Sequence, residues 1–200
     1  MPHTQQYVTS QELMDSLVEL VEQSELRFQA DDDLFGEHMN LFVKSYMVLM
    51  CAYLESYLKN LTKHYIDKVD EALVASPYPK NLFRWSVQRE KYKHSNDGIC
   101  EFFSLGISSD DIDKNLSANP HKTIPFFARL GIRLEAIDDF SDVRDQVEAI
   151  VTKRNNIVHY NDDASDVGAR DIIENVEVLK QYMEVLDSEI SCSLNRLRID

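Results

Sequence analysis

Arg154-Asn155-Asn156-Ile157-Val158-His159 puts a permanent cation, two side-chain amides and an imidazole within two helical turns. These residue types suit cleavage of a phosphodiester. Histidine titrates near neutrality and can move protons to and from a ribose hydroxyl and a leaving oxygen. Arginine offers a forked, permanent charge to a phosphate and to its transition state. Asparagine can hold an imidazole tautomer or donate to a phosphate oxygen. RNA carries its own nucleophile, the 2′-hydroxyl, so this set can act on RNA without a metal.

Spacing alone is weak support. Arg and His so placed are rotated by about 140° on an ideal helix, so they do not share one face. Arg154 continues the apolar stripe of Val143, Val147, Ile150 and Val151, whereas His159 lines up with Asn155 and Asn156, one turn earlier. Arg89 to His94 repeats the Arg-x4-His spacing, without the asparagines or the apolar lead-in. The pair carries weight only with Asn155 and Asn156 beside it, on a helix end.

The elements that must position these residues read as helices nearly throughout. Thr9-Ser10-Gln11-Glu12 is a capping-box sequence, which predicts a first helix from there to about Phe28. Ala30-Asp31-Asp32-Asp33 predicts a break and an acidic cap. Leu34 to about Val69 is then one long helix, with Leu41, Phe42, Tyr46, Leu49, Tyr53, Tyr57 and Leu61 recurring at three and four. Ser76-Pro77-Tyr78-Pro79 breaks the chain, and 70–118 reads as an irregular insertion with short helices. Asn119-Pro120 opens a short helix that ends near Gly131. Ser141 is the expected cap of the helix bearing the motif, and Ser165-Asp166 that of the last helix. On that last helix Ile172, Val176, Leu179, Met183, Leu186 and Ile190 form a seam suited to bundle packing or a subunit interface. The expected organisation is a single helical domain over 1–200, with 1–30 as an N-terminal helix.

Composition narrows the function. The chain has 200 residues, 44% hydrophobic, with few Gly and Pro, which favours an all-α core over a many-stranded sandwich. A net charge of −14 argues against coating nucleic acid by bulk electrostatics, though not against gripping a few phosphates. Lys80, Arg84, Arg89, Lys91 and Lys93, interleaved with Phe83, Trp85 and Tyr92, form the one basic, aromatic stretch. They are RNA-contacting candidates; the alternative is a solvated segment whose aromatics pack inward. Glu55 interrupts the apolar centre of the long helix, on a face with Val48, Cys51, Ala52 and Thr62. A carboxylate there needs a partner, and Arg154 is one candidate.

No metal site or cofactor is expected. The six histidines are scattered, and Cys51, Cys100 and Cys192 form no pair at ligand spacing, as in buried thiols of a reducing compartment. A calcium loop counted from Asn161 puts Asp166 where Gly is required and Ile172 where Glu is required. Asp162, Asp163 and Asp166 therefore read as helix-capping residues, and Asp110, Asp111, Asp113, Asp138 and Asp139 as solvated acids. There is no apolar run of membrane-spanning length and no N-terminal apolar leader segment, so the expectation is a cytoplasmic protein without a membrane partner.

On "RNNIVHYNDD", the preceding "NPHKTIPFFARLGI" and the early helix "MVLMCAYLESYLKNL", the chain resembles the HEPN superfamily, and within it the RiboL-PSP-type proteins of prokaryotic defence and toxin–antitoxin loci. The likeness runs over about 35–195, poorly over 70–118. The family motif is Arg-x(4–6)-His with a polar residue after the Arg, and Arg154, Asn155 and His159 fit it. The resemblance implies an antiparallel helical bundle with a long C-terminal helix, paired as a homodimer whose two motifs line one cleft. It implies metal-independent endoribonuclease activity, as a toxin or antiphage effector with a possible antitoxin or defence-system partner. His159 would be the general acid/base and Arg154 the phosphate ligand. Asn155, with Asn156, would orient either. Glu55 would support Arg154. Many relatives carry Gly after the His; this chain carries Tyr160, a larger side chain beside the cleft. The alternative is a non-catalytic module of the same fold that binds a nucleotide or a partner protein.

Overall fold

The computed structural model describes residues 3–75, 105–160 and 163–197, with the isolated positions Leu82 and Ser86. Among the described residues the elements are six α-helices and one 3-10 turn: α1 (Gln5–Gln29), α2 (Asp33–Val74), α3 (Ser109–Asn115), α4 (Pro120–Arg129), the turn Leu134–Ala136, α5 (Asp138–Tyr160) and α6 (Ala169–Arg196). The fold is all-α, with no strand among the described residues. Lys80, Arg84, Arg89, Lys91, Lys93 and the second Arg-x4-His lie outside the described residues.

The four long helices alternate in direction. Met47, Tyr57 and Tyr65 of α2 meet Asn175, Met183 and Ser193 of α6 in the same order, so these two run parallel. α1 runs against α6, with Thr4 at Asp187 and Asp15 at Lys180. α5 runs against α2, with Arg154 at Glu55 and the following loop's Asp163 at Asn40.

α2 sits at the centre because it is apolar on several faces, and α1, α5 and α6 all pack on it. By length and composition alone it could cross a membrane, but Met47, Met50, Leu54, Leu58 and Leu61 are buried within the bundle, as in a core helix. The seam of α6 is buried along its whole length, with Ile172, Val176, Leu179, Met183, Leu186 and Ile190 inside, so it serves the bundle. Tyr57 and Tyr65 carry polar tips into this core and find partners, Tyr57 donating to the Met183 carbonyl at 2.8 Å and Tyr65 to that of Leu130 at 3.2 Å.

Several helix starts differ from the sequence expectations, each for a local reason. α1 begins upstream of the Thr9 capping box, because Thr4 caps it, accepting from Tyr7 N, and is fixed to α6 by Asp187. α2 starts at the acidic cap as expected, Asp32 accepting from Leu34 N, but continues past Val69 to Val74. α5 starts ahead of Ser141, straight off the 3-10 turn, so Ser141 lies inside it. α6 is capped at Gly168, whose N–H is accepted by Asp171 at 2.7 Å, rather than at Ser165-Asp166. At the end of α4, Gly131 adopts φ +83°, the left-handed conformation that favours glycine.

Candidate active site

The motif occupies the last two turns of α5. Val143, Val147, Ile150 and Val151 seat the helix on the core, and Ile157 continues that seat into the motif. Arg154 lies on the packed side with its side chain 21% exposed, its Nη2 3.6 Å from Glu55 Oε2 on α2. Its Nε is buried with no hydrogen-bond partner. A buried guanidinium N–H of this kind is a donor still to be satisfied.

Glu55 does more than meet Arg154. Its second oxygen, Oε1, takes Lys59 Nζ at 3.0 Å, and the same ammonium reaches Asp113 Oδ1 on α3 at 3.1 Å. Asp113 and Asp111 are exposed as expected but lie in α3 and have partners, Asp113 through Lys59 and Asp111 in a capping box with Ser108. The face expected around Glu55 divides in two. Cys51 and Thr62 are buried, while Val48 and Ala52 are exposed. Burial pushes the Cys51 thiol up to about 11, although the neighbouring Arg154 guanidinium pulls it down.

His159 stands on the other side of the helix end and is exposed, with Asn155 and Asn156 half-buried behind it. Asn155 and His159 are not hydrogen-bonded to each other in the described residues. The structure therefore brings Arg154 to Glu55 but leaves the imidazole open to solvent. Tyr160 is 80% exposed and points away from the core, beside Val158 at 51%. On α2, Leu41, Ser45, Val48 and Ala52 are exposed at helical spacing, on a stripe that continues to Glu55.

The loop after the motif is held by its acids. Lys153 Nζ reaches Asp166 at 2.8 Å and the Asp163 carbonyl at 3.1 Å, and Asn40 of α2 donates to the Asp163 carboxylate. These contacts hold both carboxyls below the usual range, chiefly through Asn40 at Asp163 and Lys153 at Asp166. Asp163 and Asp166 thus tether the loop to α2 and α5 instead of capping α6.

Sequence reasoning did not select Lys59, which shares Glu55 with Arg154, or give Asp113, which pairs with Lys59, any part in the site. Lys59 lies one helical turn beyond Glu55, a spacing that marks an ion pair and could have been noticed. Asp113 carries no such signal, since only the packing of α3 on α2 brings it near.

Neither a curated protein nor a solved structure matches this chain. A family model does: RiboL-PSP-HEPN, over residues 11–191. The matched span takes in most of α1, which lay outside the likeness read from the motifs, and reaches nearly to the end of α6. With the motif at the end of α5 and an all-α bundle around it, the chain belongs to the RiboL-PSP-HEPN family.

Proposed function

We propose that this protein is a metal-independent endoribonuclease that works as a homodimer, as a toxin or antiphage effector. Domains of HEPN type are commonly ribonucleases, which supports the class of activity. The observation that carries the reading for this chain is the division of labour at the end of α5. Arg154 is held part-buried by Glu55 with an N–H to spare, and His159 is free and exposed a short way along the same helix.

In the proposed reaction, His159 accepts the proton of a ribose 2′-hydroxyl. The 2′-oxygen attacks the adjacent phosphorus, and the bond to the 5′-oxygen of the next nucleotide breaks. That oxygen takes a proton from an imidazolium, leaving a 2′,3′-cyclic phosphate and a 5′-hydroxyl. One helix end offers a single imidazole; a two-fold dimer would supply the second as the partner subunit's His159. Arg154 would neutralise the extra charge on the phosphoryl oxygens as it develops. Asn155 and Asn156 would steer the phosphate or the imidazole once RNA is present.

His159→Ala is expected to lower cleavage by at least two orders of magnitude, the scale of a lost general acid/base. Helicity by circular dichroism and mass in solution should be unchanged, and a chelator should leave the wild type active. Full activity in His159→Ala would sink the assignment. A second reading, a non-catalytic module binding a nucleotide or a protein, draws on Tyr160, whose exposed ring stands beside the imidazole. Expression separates the two: a ribonuclease should impair growth and His159→Ala should relieve it, whereas a binding module would behave alike in both forms.

A further inference from the structure

Charges alternate along a chain of four side chains that begins at Arg154. Arg154 Nη2 is 3.6 Å from Glu55 Oε2, Glu55 Oε1 is 3.0 Å from Lys59 Nζ, and Lys59 Nζ is 3.1 Å from Asp113 Oδ1. It crosses from α5 over α2 to α3, and each carboxylate oxygen of Glu55 serves a different cation. The shorter contact is with Lys59, whose ammonium is held in its charged form first by Glu55 and then by Asp113. Glu55 is therefore a shared anion, and its grip on Arg154 depends on how much of its charge Lys59 takes up.

Resting on the reading of Arg154 as the phosphate ligand, we propose that Lys59 and Asp113 are positioning residues that set how firmly Glu55 holds Arg154, and so how readily the guanidinium turns to an RNA phosphate. A phosphate competes with Glu55 for one cation. Without Lys59, the whole charge of Glu55 falls on Arg154, the guanidinium is held tighter, and phosphate binds more weakly. Without the charge of Asp113, Lys59 turns more fully to Glu55, the hold on Arg154 loosens, and phosphate binds more strongly. The two substitutions act in opposite directions although neither side chain touches the phosphate. The side chains are 21% to 53% exposed, so solvent screens each coupling to a factor of about two to five. Raising the salt should shrink it further.

The test is a double-substitution cycle in His159→Ala protein, which is expected to bind RNA without cutting it. Dissociation constants for a short fluorescent RNA are measured by anisotropy. Lys59→Gln should raise Kd about two- to fivefold and Asp113→Asn should lower it by a similar factor. In the Lys59→Gln background, Asp113→Asn should be silent. A general gain from removing one negative charge would persist there, and would appear equally in Asp110→Asn, which is exposed on the same helix. Purely additive effects, or equal gains at Asp110 and Asp113, overturn the proposal. Arg154→Ala separates the two levels: an unchanged Kd in that variant overturns the phosphate reading itself. The side-chain Nη–H signals of Arg154, assigned by their loss in Arg154→Lys, report the hold without RNA. Their exchange with water should slow in Lys59→Gln and quicken in Asp113→Asn, and unmoved signals also overturn the proposal.

Discussion

Cys51 and Arg154 test each other at the scale of single residues. The thiol is wholly buried and raised to about 11, because the desolvation of a thiolate there outweighs the nearby guanidinium. At pH 8 roughly one molecule in a thousand would carry the thiolate even if reagent could enter. In protein with Cys100→Ser and Cys192→Ser, iodoacetamide should therefore label Cys51 only as fast as the fold opens. Rapid labelling under native conditions would mean that the packing of α5 on α2 loosens at Arg154. The cluster around this arginine was legible in the sequence to different depths. Arg154 stood out because it continues an apolar stripe, and Glu55 because it breaks one. Lys59 needed only the helical repeat. Asp113 could not be read, because α3 lies far from α2 in sequence and a surface acid looks the same with or without a partner.

At the scale of elements, the bundle followed from period, while the helix ends followed only where the cap is local, as at Asp32 and Asn119-Pro120. The apolar spacing on α2 and α6 reflects burial against several neighbours, so it survives in the fold. Caps depend on which of several polar residues a distant helix engages. The start of α1 is the clearest case. Buried Asp187 on α6 accepts from Thr4 N at 3.2 Å and from the Thr4 hydroxyl, and pairs with His3 Nδ1 at 3.1 Å. This anchor outcompetes the capping-box sequence at Thr9, which stays within the helix. Hydrogen bonds to a charged group contribute about 1.5–3 kcal/mol each at most, and less when shared. Asp187→Ala should accordingly cost about 2–3 kcal/mol in urea unfolding and expose the first turn of α1 to proteolysis. Thr4→Val, which removes one donor and the cap, should cost about 1 kcal/mol. A loss below half a kcal/mol in Asp187→Ala would show that α1 is held by Met14, Leu17 and Val21 alone.

At the scale of the whole molecule, the proposed activity requires an acidic protein to engage RNA. A net charge of −14 repels a polyanion at long range, so under the proposed activity the attraction would have to be local to the motif. One motif supplies one guanidinium and one imidazole, while two motifs on a two-fold axis would double both within a small space. Leu41, Ser45, Val48 and Ala52 on α2 and Val158 on α5 are all exposed, and in the proposed dimer they would be the face that a second copy covers. Its small residues would allow close approach, and its continuation to Glu55 would place each Arg154 at the rim of a shared cleft. Val48→Glu puts a like charge on both sides of that contact, so it should convert a dimer to a monomer by light scattering. Helicity should be intact, since the side chain is already 37% exposed. Cleavage should fall with dimer content, and recover in part at protein concentrations that restore the dimer. The competing face is the apolar groove of about 950 Å³ between α1, α2 and α6, bordered by Leu26 and Phe28. A dimer that survives Val48→Glu but is lost in Leu26→Glu would move the interface to that groove. A site built from two copies of His159 would then stand only if cleavage too were lost in Leu26→Glu and kept in Val48→Glu.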